Sequence, residues 1–333
     1  MHHAHDRQYR QYRQYHQYAN IANIAKIVLP RIVLSSAIAV ILFPLVIYSG
    51  LLLRRPPRIA QQKQLFPGIT YQRMADLNPR PVMMHIVTID LNTPGIKLRV
   101  TPGEPGDDGK DIPAQTTSEF LQKYQLQLAI NGSFFYPCYF NHFWDFVPQR
   151  GDRVNVIGQL ISDGILYKEG KPGWGVLCIS QSAGVSIASA HCPPNTREAI
   201  AGREIIIQNG QPVAIDKTEQ KTDQNSDRLK PLPRTVVATD RLGEKLWFIL
   251  VDGRQPHYSQ GLTLPELTEI LVKMGVHTAL NLDGGGSTTL VIAEGKKTRL
   301  LNSPIDARIP MRERAIANHI GIYTSPQTSH KKP

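Results

Sequence analysis

Between residues 246 and 291 the spacing of apolar residues changes period twice, and each change marks an element. Leu246–Val251 is an unbroken apolar run, too short for a helix and closed by Asp252-Gly253, which reads as a buried strand. Leu264, Leu267, Ile270, Leu271 and Met274 then recur at helical spacing. Thr263 and Glu266 have the spacing of a capping box, Pro265 suits a first helical turn, and Gly275 stands where a C-terminal cap belongs. His277–Leu282 is a second short strand and, like the first, ends in Asp-Gly, at Asp283-Gly284. Strand, helix and strand predict a βαβ unit with parallel strands.

Elsewhere the period is mostly two. Val82–Leu91 and Ile96–Val100 predict a hairpin joined through Asn92–Gly95. Thr117–Tyr124 predicts a short helix, and Leu126–Ile130 a strand that runs into Asn131-Gly132. Val154–Ile165, Trp174–Ile187 and Glu204–Val213 read as successive strands. Arg234–Thr239 turns through Asp240–Lys245 to pair with Leu246–Val251, which puts Arg234 opposite Val251 and beside Asp252. Ala315–Tyr323 reads as the closing strand, with Glu313 and Arg314 at its entrance. The expected fold is α+β, a mixed β-sheet core with few helices that include the one βαβ unit. Asp216–Lys230 is polar without periodicity, a surface loop or flap.

The amino-terminal fifth is different. Ile32–Leu53 carries no charge and is long enough to cross a bilayer as a single N-terminal transmembrane helix. Residues 1–31 form a basic, Tyr-rich tail of low complexity, 54–69 a proline-containing linker, 70–325 the folded domain and 326–333 a second tail. Net charge is +11 over 333 residues, of which residues 1–63 carry +8. The folded body is therefore close to neutral, which excludes a nucleic-acid partner and ties the basic charge to the membrane segment.

The chemistry gathers where the two Asp-Gly turns meet. Carboxyl ends of parallel strands are where open α/β sheets bind ligands, so Asp252 and Asp283 are expected at one mouth. Neighbouring carboxylates there suit acid/base work or a metal. Arg234 beside them offers a planar fork for phosphate, or a structural ion pair with Asp252. Gly284-Gly285-Gly286 is followed by Ser287-Thr288-Thr289-Leu290, a strand pattern. It is neither a dinucleotide fingerprint, which opens a helix, nor a nucleophile elbow, which needs a second flanking glycine. An anion nest of backbone amides, with Ser287 as a donor, fits better. Asn131 ends its strand as a sugar-binding amide or an ordinary turn residue. Phe134–Phe146 is rich in aromatic residues and reads as a sugar-stacking surface, a core segment or a lid. No Cys/His spacing resembles a zinc site, and Asp107, Asp108 and Asp111 lack the alternation of a calcium loop. No cofactor is called for, although a divalent cation is compatible with the carboxylates.

Val251–Arg254 (VDGR), Gly261–Leu267 (GLTLPEL) and Leu282–Thr288 (LDGGGST) resemble the phosphodiester glycosidase family. Asn131–Phe135, Arg234-Thr235, Arg312–Arg314 and Asn318 match in the same order. Ser133 and Ala238 stand where the family often has glycine. The resemblance implies hydrolysis of a sugar-1-phosphodiester in glycan or exopolysaccharide metabolism, with a glycan or sugar-phosphodiester substrate. It implies Arg234 and Arg314 on the phosphate, and Asn131 and Ser287 on the sugar. Asp252 and Asp283 would be acid, base or nucleophile, with Glu313 a third carboxylate. Arg254, Gly284, Gly285 and Asn318 complete the expected substrate-binding set. It also implies an extracytoplasmic body on a membrane anchor, a setting that permits a Cys178–Cys192 bridge among the three cysteines. Two other classes fit the residues: a non-catalytic module for anionic envelope polysaccharide, and a metal-dependent phosphodiesterase holding its ion on Asp252, Asp283 and Glu313.

Overall fold

The hairpin that Asp240–Lys245 predicts lies at the centre of the largest sheet of this computed structural model, which describes residues 26, 39–40, 42–107, 109, 111–142, 145–182, 184–214 and 227–324. Eight strands form that sheet: β1 (Gln61–Phe66), β2 (Ile69–Asp76), β3 (Val82–Asp90), β4 (Ile205–Gln208), β5 (Gln211–Pro212), β6 (Arg234–Thr239), β7 (Lys245–Val251) and β8 (Thr278–Asn281). Their spatial order is β1-β2-β3-β7-β6-β8-β4-β5, and each neighbouring pair is antiparallel. The expected mixed sheet is thus corrected. β7 and β8 do run the same way, but β6 lies between them, because a tight hairpin claims the edge of β7 before the crossover helix returns the chain.

That helix, α2 (Leu264–Lys273), follows its signals. Glu266 accepts from Thr263 N at 2.8 Å while Thr263 Oγ1 accepts from Glu266 N at 3.3 Å, satisfying amides that the first turn leaves free. Gly275 takes φ +77° just beyond the C-cap, a conformation that costs glycine little. Leu264, Leu267 and Leu271 bury one face against Met84, Ile86, Val236, Ile249 and Val251. The other face of the sheet, with Tyr71, Val87, Phe248 and Leu250, packs on two further five-stranded antiparallel sheets through Leu98, Ile130, Leu160 and Leu177. β7 is buried on both faces, so it reads as a continuous apolar run where a half-exposed strand would alternate.

The expected hairpin of Val82–Leu91 with Ile96–Val100 does not form. Both edges of β3 are taken, by β2 and β7, so Lys97–Val100 crosses to a second sheet and pairs with His319–Tyr323. Leu128–Asn131 lies beside that last strand, under helix α1 (Thr117–Lys123). Within the stretch expected to be a linker, residues 61–66 are strand β1. Cys178 and Cys192 form a disulfide.

Residues 1–54 form a unit separate from residues 55–333. In it, residues 42–53 are helical. No helix among the described residues is long and apolar enough to cross a membrane. The expected span begins at Ile32, and residues 32–38 and 41, like the terminal tails 1–25 and 325–333, lie outside the described residues.

Candidate functional site

Register places the ends of three strands together. Arg234 faces Val251 and Val236 faces Asn281, so Arg234, Asp252 and Asp283 all leave one edge of the large sheet. Strand parity then sends the two aspartates in different directions. Along β7, Leu246, Phe248 and Leu250 face the core between sheets while Ile249 and Val251 face α2. Asp252 continues the inward series. Its Oδ2 lies 3.0 Å from His85 Nε2, and its Oδ1 accepts from Asn302 Nδ2 and from Ser303 N, each at 3.0 Å. Tyr71 Oη completes the chain, 2.8 Å from His85 Nδ1. All of this is buried. The expectation that Asp252 and Asp283 share one pocket is therefore corrected.

Asp283 has the opposite parity and, with Asn281, lines a cleft of about 200 Å³ at the sheet edge. Five guanidiniums (Arg203, Arg228, Arg234, Arg254 and Arg314) and three carboxylates (Glu204, Asp227 and Asp283) border it. Burial pushes the Asp283 carboxyl up to about 6, against the opposing pull of a Ser287 hydrogen bond, Arg314, Arg254 and the Gly284 amide. A carboxyl so poised changes its proton near neutrality, which suits general acid/base work.

The glycine run has a packing reason. A Cβ on Gly286 would come within 2.3 Å of Arg314 Nη2, and one on Gly285, at φ +58°, within 3.1 Å of Arg254 Nη2. Two guanidiniums lie against this bare turn, which forms a single 3₁₀ turn at Gly285–Ser287. Arg314 is aimed by Asp306, which accepts from its Nε at 2.8 Å, and Arg314 Nη1 lies 3.5 Å from the buried Ser287 Oγ. Arg254 rises from a left-handed backbone position at φ +58°. Two cations on one bare turn offer charge-assisted donors to an anion beside the Asp283 carboxyl.

Other expected residues stand behind this site or apart from it. Arg234 borders the cleft, and two of its three guanidinium nitrogens hold carbonyls: Nε on Leu262 O at 3.0 Å, Nη2 on Asp227 O at 2.6 Å and Lys230 O at 2.9 Å. It makes no ion pair with Asp252, whose partners are given above. Burial lowers its pKa to about 10, against the opposing pull of the Glu204 and Asp227 carboxylates. Asn131 is fully buried; its Nδ2 donates to Asp283 O at 2.6 Å and its Oδ1 accepts from Thr235 Oγ1 and Thr289 N. Asn318, also buried, holds Ser133 through its amide and hydroxyl. Glu313 does not line the cleft: it accepts from Ser118 N and Oγ at the start of α1.

Several contributors went unread in the sequence, Arg203, Arg228 and Asp227 on the border of the cleft among them. Glu204 is held by Arg228 at 2.9 Å and by Asn281 Nδ2 at 3.2 Å. Asn281 was legible in principle, since it lies two residues before Asp283 on one strand face. Asp306 sits in Ser303–Ile309, a stretch without any periodic signal. Among the described residues no group of His, Cys, Asp or Glu is arranged to hold a metal ion.

The largest sheet of this antiparallel α+β body thus ends in a glycine turn with two guanidiniums against it and one carboxyl raised in pKa by burial. A family model for phosphodiester glycosidases matches residues 124–323, and the chain belongs to that family. Its curated relatives include the bovine and human N-acetylglucosamine-1-phosphodiester alpha-N-acetylglucosaminidases. Each is 36% identical, over 93 and 94 residues, 28% of this chain. The matches span only 17% and 18% of those proteins. The zebrafish enzyme of the same name, solved as a catalytic domain auto-inhibited by its pro-peptide, shares the fold. Its TM-score is 0.56 at 22% identity, covering 79% of this chain and 87% of that one. A hypothetical protein from Synechocystis does so at TM-score 0.51 and 16% identity, covering 81% and 64%.

Proposed function

We propose that this chain hydrolyses a glycosyl phosphodiester, with the sugar's anomeric carbon presented to Asp283 and the phosphate held by Arg254 and Arg314. The observation that carries this reading is the Gly284–Gly286 turn. It packs two guanidiniums on one turn, in the same cleft as a carboxyl whose pKa is pushed up to about 6. A phosphate monoester is a good leaving group, so departure needs charge neutralisation more than a proton, and two arginines supply it. The demand then falls on the incoming side, where Asp283 as carboxylate acts as base or nucleophile. Ser287 steadies that carboxylate, and Glu204 and Asp227 are the further carboxylates of the cleft.

Hydrolysis in isotopically labelled water tests this reading. Label is expected on the anomeric oxygen of the released sugar; label in the phosphate would show attack at phosphorus and overturn the assignment. The substrates named for the bovine and human relatives make N-acetylglucosamine 1-phosphodiesters the first compounds to try.

The setting is part of the same proposal: a body outside the cytoplasm, tethered by a span over residues 32–53 and acting on envelope or exported glycan. The Cys178–Cys192 bridge supports an oxidising compartment. The full chain is expected to resist alkaline extraction from membranes; a mature form beginning just after Leu53 would reveal a cleaved leader instead.

A further inference from the structure

The two guanidiniums on the glycine turn come from segments far apart in sequence, and the structure joins those segments behind the cleft. Arg254 belongs to the loop that leaves β7, while Arg314 is held by Asp306 from another loop. Their tips lie on neighbouring glycines, Arg254 against Gly285 and Arg314 against Gly286. Burial, and then the Arg314 charge beside it, lower the Arg254 pKa. Two such cations repel each other until an anion binds. Keeping both on one turn therefore takes a rigid support.

The residue after Arg254 supplies it. Arg254 has φ +58°, a conformation that a residue other than glycine keeps where its surroundings impose it. Gln255 is pinned by backbone and side chain alike. Its N donates to Ser259 O at 3.0 Å and its O accepts from Ser259 N at 2.8 Å, which closes the loop. Its side chain makes a reciprocal pair with Ser303: Nε2 donates to Ser303 O at 2.8 Å, and Oε1 accepts from Ser303 Oγ at 3.0 Å. Both residues are buried, and neither lines the cleft. Ser303 N donates to Asp252 Oδ1 at 3.0 Å, and three residues further on stands Asp306, the carboxylate that aims Arg314. One buried pair thus ties the loop of Arg254 to the loop that holds Arg314.

We propose that Gln255 and Ser303 are positioning residues: their reciprocal pair sets Arg254 against the Asp306–Arg314 pair, so that both guanidiniums close on one phosphate. This role rests on the reading that Arg254 and Arg314 hold the phosphate, and inorganic phosphate tests the two separately without turnover. In calorimetric titration of the full chain, Arg254→Ala is expected to raise Kd for inorganic phosphate about tenfold or more. Gln255→Met, similar in length but without the polar atoms, is expected to raise it about tenfold. KM for the glycosyl phosphodiester should rise equally, with kcat little changed. In the Arg254→Ala background Gln255→Met is expected to add nothing, because the pair acts through Arg254. If Gln255→Met does not fold, Ser303→Ala removes only the hydroxyl bond and carries the same comparison, with an expected rise of about threefold. A lowered melting temperature with unchanged phosphate affinity in the folded chain would overturn the positioning role and leave the pair a part of the core. Equal losses with and without Arg254 would overturn it too. Wild-type phosphate affinity in Arg254→Ala would instead overturn the phosphate reading, and this role with it.

Discussion

The side-chain amide of Asn131, at the end of a strand in one sheet, donates to the main-chain carbonyl of Asp283, at the end of a strand in another, at 2.6 Å. The same side chain accepts from Thr235 on β6 and from the amide of Thr289. One buried residue therefore fixes where the Asp283 carboxyl enters the cleft. Asn131→Ala would strand three buried groups and is expected to cost about 2–3 kcal/mol. Turnover should fall along with stability. Asn131→Asp keeps the acceptor and loses the donor, and should lower turnover more than its melting temperature alone accounts for. Thermal unfolding and steady-state rates at one pH separate the two effects. Wild-type turnover in a stable Asn131→Asp chain would remove the positioning role.

Asp252 and Asp283 begin from the same Asp-Gly signal but should respond oppositely to amidation. Asp283→Asn is expected to stay folded and lose turnover by on the order of a hundredfold or more. Asp252→Asn breaks the contact with His85 in a buried network and should destabilise by about 3–5 kcal/mol, with residual turnover in whatever fraction remains folded. Denaturant titration beside kinetics on the folded fraction decides. Equal losses of specific turnover would return Asp252 to the reaction.

The pH dependence follows from Asp283. As base or nucleophile it must be ionised, so kcat/KM should fall below about pH 6, the folded carboxyl's position. A bound phosphodiester adds a negative charge nearby, so the corresponding limb in kcat should lie at higher pH than that in kcat/KM. The stability sign is separate. Its folded pKa is raised above the ordinary aspartate value of 3.8, so the folded state binds the proton more tightly. The stability this contributes is complete below about pH 4 and lost as pH rises through about 6. Asp283→Asn should therefore melt progressively above wild type across that window and by a constant margin beyond it. A rate that rises as pH falls through 6 would make Asp283 an acid instead.

Much of this site was legible because its signals are local. Turn residues at Asp252-Gly253 and Asp283-Gly284, the capping box of α2, and the hairpin register of Arg234 with Val251 are all short-range patterns. What could not be read was side-chain direction at strand ends, which depends on which face the preceding residues bury. Leu250 faces the core between sheets, so Asp252 goes in; Asn281 faces the cleft, so Asp283 goes out. Equally hidden were long-range partners such as Asp306 and Glu204, which reach the cleft through sheets whose pairing carries no local mark. The sheet's antiparallel order was missed for a related reason: helix α2 predicts that β7 and β8 run alike, and says nothing of a strand between them.

Arg234 is expected to act on stability. Its guanidinium gathers the carbonyls of Asp227, Lys230 and Leu262, a fan that a lysine ammonium on a different stem does not reproduce. Arg234→Lys should lower stability by about 1–3 kcal/mol. At a temperature where the variant is folded, KM should move little. A large rise in KM without a change in melting temperature would place its fork on the phosphate after all.

Gly286 isolates the contribution of Arg314. Its backbone is not in the left-handed region, so alanine there adds no conformational strain. The added methyl would meet Arg314 Nη2 at 2.3 Å, the far end of a flexible side chain. The guanidinium must swing aside, against its hydrogen bond from Nε to Asp306. Gly286→Ala is therefore expected to lower the melting temperature through the disturbed Arg314–Asp306 pair, and to raise KM for the phosphodiester on the order of tenfold at a temperature where it is folded, the loss of one charge-assisted contact. Gly285→Ala is the control: at φ +58° it strains the turn itself, so stability and kinetics should fall together. An unchanged KM in Gly286→Ala, with Arg314 shown displaced by a crystal structure of the variant, would mean that Arg314 does not hold the substrate's phosphate and that Arg254 carries it alone.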